Sequence, residues 1–410
     1  MNIFFVNGQQ VISYEELIKD INDQSYLKKY IKEEDPYEIL KNVIISLVYG
    51  EKIELLDSDF TNEEIKNLGI SADNLNLQKK LEKVEIQNFD SLLKKIKENS
   101  KNWEMNLYTS GTTGRPKKVK HKLETIARSV KTSEEFKNNV WVFAYNPTHF
   151  AGLQVFFQAF FNKNPMIYIF DADRTQIQEL LQKYKVTHIS ATPTFYRSVL
   201  PYLKEKILSV ERITMGGEKY DASLENQLSK IFPNAQIRNV YASTEAGSIF
   251  SAKGDVFHIS PRLMKKIKIE GNELLIHKSL MGESDDLKLE GDWYRTGDVV
   301  EKIDNEHFRF ISRKTEMINI GGYKVNPHEV EEAIKSIPGI IDAVINARNN
   351  KITGSILTAQ IVVENNVDVK QKEKEIIKSL RAKLQSWKIP RIIEFVNEIK
   401  LTRTGKKVRK

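Results

Sequence analysis

Tyr108-Thr109-Ser110-Gly111-Thr112-Thr113-Gly114-Arg115-Pro116-Lys117-Lys118 is a run of hydroxyls, glycines and lysines with no aliphatic side chain. Ser110, Gly111 and Gly114 leave room for backbone N–H groups to approach an anion closely. Thr109, Ser110, Thr112 and Thr113 add hydroxyl donors, and Lys117 and Lys118 add charge. The combination suits a pyrophosphate or triphosphate. It is not a Walker A loop, because Pro116 stands where the second glycine belongs and no Ser or Thr follows the lysine. Alone, the run is equally compatible with a plain surface loop, so the rest of the chain decides its meaning.

With 410 residues, the chain has room for two or three domains with sizeable cores. Its 40% hydrophobic and 9% aromatic content are globular values. The absence of cysteine excludes disulfides, a thiolate nucleophile and cysteine-ligated metals. There is no run of 18 apolar residues, and the start MNIFFVNGQQ lacks a basic segment followed by an apolar one. A cytoplasmic location with no membrane partner is therefore expected. Residues 1–100 hold 13 Lys against 19 Asp and Glu, a net of −6 within a total of +8, so the remaining 310 residues carry +14. A solvated surface is the simplest account of that excess, followed by anionic small molecules or an acidic protein partner. No basic patch interleaved with aromatics is present, so no nucleic-acid partner is expected.

The pattern between residues 103 and 241 alternates strands and helices. Strands are expected at Trp103–Tyr108, Val140–Asn146, Pro165–Phe170, Val186–Ser190, Arg212–Met215 and Ile237–Tyr241, and an apolar helix at Leu153–Phe161. Such alternation argues for α/β layers around a mostly parallel sheet. Before it, Tyr14-Glu15-Glu16-Leu17 opens a helix and Leu81–Ile96 is amphipathic. Short alternating segments from Phe257 to Ile311 predict antiparallel sheet of barrel-like form. Residues 314–410 read as a separate α+β unit, with Asn326 capping a helix over Pro327–Ile337 and a charged helix over Val369–Leu384. The expected domains are thus 1–313 and 314–410.

Four further blocks give the first run its context. Asn239-Val240-Tyr241-Ala242-Ser243-Thr244-Glu245 resembles N-x-Y-G-x-T-E, and Tyr294-Arg295-Thr296-Gly297-Asp298 resembles Y-x-T-G-D. Arg313 to Val325, with Gly321-Gly322-Tyr323, resembles a hinge and glycine turn, and Thr402-Arg403-Thr404-Gly405-Lys406 resembles T-x-S/T-G-K. Five blocks in this order resemble the adenylate-forming superfamily of acyl- and aryl-CoA synthetases, peptide-synthetase adenylation domains and firefly luciferase.

The resemblance implies a two-step reaction. A carboxylate attacks the α-phosphate of ATP to give acyl-AMP and pyrophosphate, and a thiol of CoA or of a phosphopantetheine on an acidic carrier protein then displaces AMP. It implies that Thr109, Ser110, Gly111, Thr112, Thr113, Gly114 and Lys117 hold the β- and γ-phosphates, that Thr244 meets the α-phosphate, and that Glu245 helps bind Mg²⁺. Tyr241 would stack on adenine, Gly216, Gly217 and Glu218 would form the adenine wall and part of the acid pocket, and Asp298 would take both ribose hydroxyls. Arg313 would approach ribose and phosphate. Lys406 would stabilise the charge that develops in adenylation, and the small domain would swing about Lys314 and Thr315 between the two steps. His149, Phe150 and Ala242 would line the acid channel.

Several positions depart from the family pattern. The part before the phosphate loop is short, Lys118 and Ser312 stand where glycine is usual, and Thr315 replaces an Asp or Lys. Ala242 replaces a glycine beside the acid pocket, which favours a compact aromatic acid, for example a hydroxybenzoate, over a long acyl chain. His149-Phe150-Ala151-Gly152 offers no carboxylate to hold an α-ammonium group, so an amino acid is not expected. A missing fused carrier points toward pathway biosynthesis, for example of a siderophore. The rival readings are a fatty acyl ligase and a non-catalytic nucleotide-binding protein of the same fold.

Overall fold

The computed structural model describes residues 2–109, 117–285, 287–320, 323–350, 354–365, 367–402 and 405–409. Its centre is an eight-stranded sheet. Met166–Tyr168, Trp141–Phe143, His188–Ala191, Arg212–Gly216 and Gln236–Ser243 pair in parallel with one another and with Ile3–Asn7, and Gln10–Ser13 and Gly247–Ala252 add antiparallel edges. One row of side chains crosses six of these strands: Val6, Ile167, Val142, Ile189, Ile213 and Ile237 are consecutive register partners and share one core. Their neighbours Phe5, Phe143 and Tyr168 point the other way, into a second core. Both faces of the sheet are therefore covered, as side-chain alternation in a parallel sheet requires.

The helix Phe150–Phe161 is apolar nearly all round and mostly buried on the second face. A four-stranded sheet of Tyr30–Ile31, Lys52–Leu55, Glu104–Thr109 and Lys117–His121 abuts the same core through Ile31, Ile53 and Leu107. Trp103, fully buried, donates its indole N–H to Ser46 Oγ at 2.8 Å. The strands on either side of residues 110–116 pair antiparallel, with Thr109 opposite Lys117.

The amphipathic stretch Leu81–Ile96 is helical only from Phe89. Asn88 caps that helix in a reciprocal box with Ser91. Ile86 is held outside the helix because Asn22 Nδ2 donates to its carbonyl and its N–H donates to Asn22 Oδ1, both at 2.9 Å. Leu81 and Ile86 reach the core without a helix between them.

Six antiparallel strands follow, in the order Val256–His258, His307–Arg313, Trp293–Lys302, Glu273–His277 and Ile267–Glu270, with Leu289–Glu290 pairing beside Trp293–Lys302. Beyond Ser312 lie the hairpin Ile318–Ile320 and Tyr323–Val325, helices Pro327–Lys335 and Val369–Lys383, and a sheet of Ile340–Asn350, Gly354–Val363 and Ile392–Phe395. This carboxy-terminal part has its own core, in which Val330, Ile334, Ile345, Leu357, Ile376 and Leu380 are buried. Asn326 Oδ1 accepts from His328 N–H, and Pro327 occupies the first helical turn. Ile392–Phe395 is a strand that the sequence pattern did not reveal.

Candidate active site

The parallel strands end on one edge, and the segments that leave them line a cleft of about 870 Å³. Small-molecule sites in open α/β sheets lie beyond the carboxyl ends of the strands. From the large part of the chain the cleft receives Lys117, His149, Gly217, Glu218, Tyr241, Ala242, Thr244, Glu245 and Asp298, and from the carboxy-terminal part Thr315, Glu316 and Lys406. Most of the residues singled out in the sequence therefore converge, though up to 289 positions separate them.

Asp298 is 1% exposed. Tyr241 donates its hydroxyl to Asp298 Oδ2 at 2.5 Å, and Arg313 Nε lies 2.9 Å from Oδ1. The arginine is not aligned for a hydrogen bond, and Oδ1 accepts none among the described residues. Burial raises the Asp298 pKa, while Arg313, Tyr241 and Lys406 oppose that rise. A buried carboxylate oxygen in need of donors fits a pair of ribose hydroxyls. Tyr241 packs against Phe250 and Phe257 at centroid distances of 5.8 and 6.3 Å. The pairing with Gly247–Ala252 slips between Tyr241 and Ala242, an irregularity that re-aims side chains at the mouth of a site.

Glu245 lines the cleft and its carboxylate makes no hydrogen bond or ion pair among the described residues. Among the described residues no group of three or more His, Asp or Glu side chains could cage a metal by itself. One free carboxylate beside a phosphate site is nevertheless what Mg²⁺ uses, since it takes one or two protein carboxylates and completes its shell with phosphate oxygens and water. Glu245 thus fits the ion.

Lys406 enters from the carboxy-terminal part. A β-carbon at Gly217, where φ is +82°, would sit 3.3 Å from Lys406 Cε. Thr192 Oγ1 donates to the Gly405 carbonyl at 3.1 Å, which fixes the loop that carries the lysine. Burial lowers the Lys406 pKa, as does Arg313, against the pull of Glu218, Glu316 and Asp298. Among the described residues no carboxylate lies within 4 Å of its ammonium group. Glu218 Oε2 accepts from Thr194 Oγ1 at 2.7 Å, whereas Oε1 is buried and accepts no hydrogen bond among the described residues. A desolvated cation without a direct partner is set to meet charge on a ligand.

His149 caps the helix Phe150–Phe161 with its backbone but not with its side chain. Its Nε2 lies 3.1 Å from Oδ1 and 3.2 Å from Oδ2 of Asp57, a buried carboxylate that also accepts from Thr148 Oγ1 and, at 3.3 Å, from Asn146 Nδ2. A β-carbon at residue 152 would stand 2.5 Å from the Asn146 carbonyl, so glycine there lets the loop that carries His149 close on the helix. Ala242 lines the cleft. Phe150 does not line it: the ring is buried against His121 and under Gly247. Gly216 lies at the end of its strand, under the Val240 carbonyl, and does not line the cleft either.

Lys118 is paired with the buried Glu54 at 2.9 Å. Lys314 Nζ donates to Glu273 Oε2 at 2.7 Å, and Thr315 faces the cleft. Glu273 also accepts from Arg295 Nη1 at 2.8 Å and Gly297 N–H at 3.0 Å. Ser110, Gly111, Thr112, Thr113 and Gly114 lie outside the described residues, as do Gly321, Gly322, Arg403 and Thr404. Of Thr109 only the backbone is described. Sequence reasoning missed Asp57, Thr194 and Glu273. Asp57 carried one faint signal, an acidic residue two positions beyond the end of the strand Lys52–Leu55.

A family profile described as AMP-binding enzyme matches residues 38–270, more than half of the chain, and its carboxy-terminal domain profile matches residues 329–406. The chain belongs to the AMP-binding enzyme family. Within this adenylate-forming superfamily it is 26% identical over 325 residues to 2-succinylbenzoate–CoA ligase of Staphylococcus aureus (strain MRSA252), a match covering 73% of this chain and 64% of that protein. It is 27% identical over 333 residues to the putative acyl–CoA ligase YdaB of Bacillus subtilis, covering 73% and 65%. The chain thus spans somewhat less than two thirds of the length of these relatives. Among solved structures, o-succinylbenzoate CoA synthetase (MenE) from Bacillus subtilis with its acyl-adenylate intermediate matches at a TM-score of 0.70 and 18% identity, covering 99% of this chain and 94% of that one. ATP-bound MatB from Rhodopseudomonas palustris matches at 0.68 and 16%, with the same coverage. At these identities the likeness shows that this AMP-binding enzyme shares their fold. No helix among the described residues is long and apolar enough to cross a membrane.

Proposed function

We propose that this AMP-binding enzyme adenylates a carboxylic acid with ATP and passes the acyl group to the thiol of CoA. The observation that carries the reading is Lys406: a half-buried ammonium group, unpaired among the described residues, in the same cleft as Asp298, Glu245 and Thr244. Adenylation joins two anions, so it needs charge screening and alignment at the point of attack. Asp298 would hold the ribose, Tyr241 the adenine, and Thr244 the α-phosphate. Glu245 would hold Mg²⁺, which when bound screens the phosphates, and Lys117 would meet the same phosphates with the loop 109–114. Lys406 would bridge the attacking carboxylate and the α-phosphate.

The acid is compact and aromatic in this reading. Ala242 narrows the cleft by a methyl, and His149, held by Asp57, presents a polar edge. The relatives, 2-succinylbenzoate–CoA ligase and an acyl–CoA ligase, support CoA as the acceptor and make 2-succinylbenzoate the first acid to try, with hydroxybenzoates next. The small domain, residues 314–410, turns about Lys314 and Thr315 between the two steps. The test is acid-dependent exchange of pyrophosphate into ATP, with 2-succinylbenzoate, benzoates, fatty acids and amino acids. Exchange confined to aromatic acids is the expected result. Exchange only with fatty acids overturns the assigned acid, and ATP binding without any exchange overturns the ligase reading in favour of a nucleotide-binding protein.

A further inference from the structure

On one side of the cleft, which Arg197, Glu218, Lys335 and Lys407 line, six charged side chains meet where the two parts of the chain touch. Arg197, Asp221 and Glu218 come from the large part, and Lys335, Asp342 and Lys407 from the small part. Asp221 Oδ2 accepts from Arg197 Nη2 at 2.9 Å and from Lys335 Nζ at 2.5 Å. Asp342 Oδ1 accepts from Lys407 Nζ at 2.5 Å and lies 3.8 Å from Arg197 Nε. Glu218 lies 3.9 Å from Arg197. The side chains of Arg197, Asp221, Lys335, Asp342 and Lys407 are only 6–13% exposed. Three cations and three carboxylates balance, but neither part balances alone: the large part keeps an excess negative charge and the small part an excess positive one. Buried charges tolerate little misplacement, because each loses hydration that only its partner replaces.

The geometry has a direction. Lys407 follows Lys406, and its ammonium is tied both to Asp342 and, at 2.7 Å, to the Ala343 carbonyl. Asp342 in turn faces Arg197 of the large part. The loop that delivers Lys406 is thus registered against the large part through Asp342, and the first helix of the small part through Lys335. We infer that Lys335 and Asp342, docked on Asp221 and Arg197, are positioning residues for the adenylation step, setting the register in which Lys406 enters the cleft. Asp342 does not line the cleft, Lys335 reaches its wall with the ammonium group held on Asp221, and both act through the placement of Lys406. This inference rests on the ligase reading and its two arrangements of the small domain.

The test separates the two half-reactions in the full chain. Lys335→Gln and Asp342→Asn are expected to lower kcat for ATP–pyrophosphate exchange about 100-fold, the scale of a one-ångström misplacement. KM for the acid and the transfer of separately supplied acyl-AMP to CoA stay within about twofold. Lys335→Arg, which keeps the charge, restores most of the exchange. A second readout needs no activity. The chain has no cysteine, so spin labels on Ser229→Cys and Lys374→Cys report the distance between the parts without background. Lys335→Gln is expected to broaden that distance distribution in the presence of ATP. Equal loss of both half-reactions, full exchange in both variants, or an unchanged label distance overturns the inference. Absence of exchange in the unsubstituted chain overturns the ligase reading instead, and leaves the label distance to judge the docking.

Discussion

Lys406 and Gly217 are packed so closely that a β-carbon on the glycine would lie 3.3 Å from Lys406 Cε. The glycine also holds φ at +82°, where an L side chain is strained by roughly 1–2 kcal/mol. Gly217→Ala is therefore expected to lower stability by about 1 kcal/mol and to displace the lysine, reducing exchange about tenfold or more. Thermal melts and exchange kinetics on one preparation check both effects. Unchanged exchange would show that the lysine tolerates the methyl.

Lys406→Ala removes the half-buried cation itself. Exchange is expected to fall about 10²–10³-fold, the loss typical of a single charge-stabilising donor. Transfer from supplied acyl-AMP to CoA stays largely intact, because that step does not join two anions. Parallel loss of both would remove the distinction between the steps.

Asp57→Asn keeps the size of the side chain that holds His149 but removes its charge. The imidazole loses a charge-assisted partner, so kcat/KM for the acid is expected to fall about tenfold while KM for ATP is unchanged. Steady-state kinetics with each substrate varied in turn measures the split. A matching rise in KM for ATP would mean that Asp57 supports the whole cleft rather than the acid side.

His121 is 2% exposed, and burial pushes its imidazole down to about 4. The unfolded chain, near 6.5, binds more protons at this position than the folded chain between pH 4 and 6.5. Stability from this residue is therefore complete above about pH 6.5 and falls as pH falls through that window, by on the order of 2–3 kcal/mol. Melts from pH 4.5 to 7 should show a steeper decline than those of His121→Met, which fills the same apolar space without a titrating group. Parallel curves would place the acid sensitivity elsewhere.

What was legible in the sequence follows from range. Asn326 announces its helix because the cap and the chain it caps are neighbours. The short apolar runs around Val142 and Ile167 announce strands because such runs are local. The helical period from Leu81 misleads because Asn22, 64 positions away, satisfies the backbone of Ile86 and keeps it out of the helix. Asp57 and His149 are 92 positions apart, so nothing near either one predicts the pair. The five blocks named Asp298 and Lys406, but not the docking of Lys335 on Asp221, because no local pattern records which buried charges face each other.

Glu273 has a kinetic consequence. It holds Lys314, at the proposed pivot, but it also accepts from Arg295 and from the Gly297 backbone. When Lys314 lets go, the carboxylate keeps two donors and a full counter-charge, so detachment strands no bare anion. The pivot is thus a soft joint. The rate at which the two parts separate should then be governed at the distant rim of the interface, and substitution of Lys314 should change turnover far less than its place at the pivot suggests.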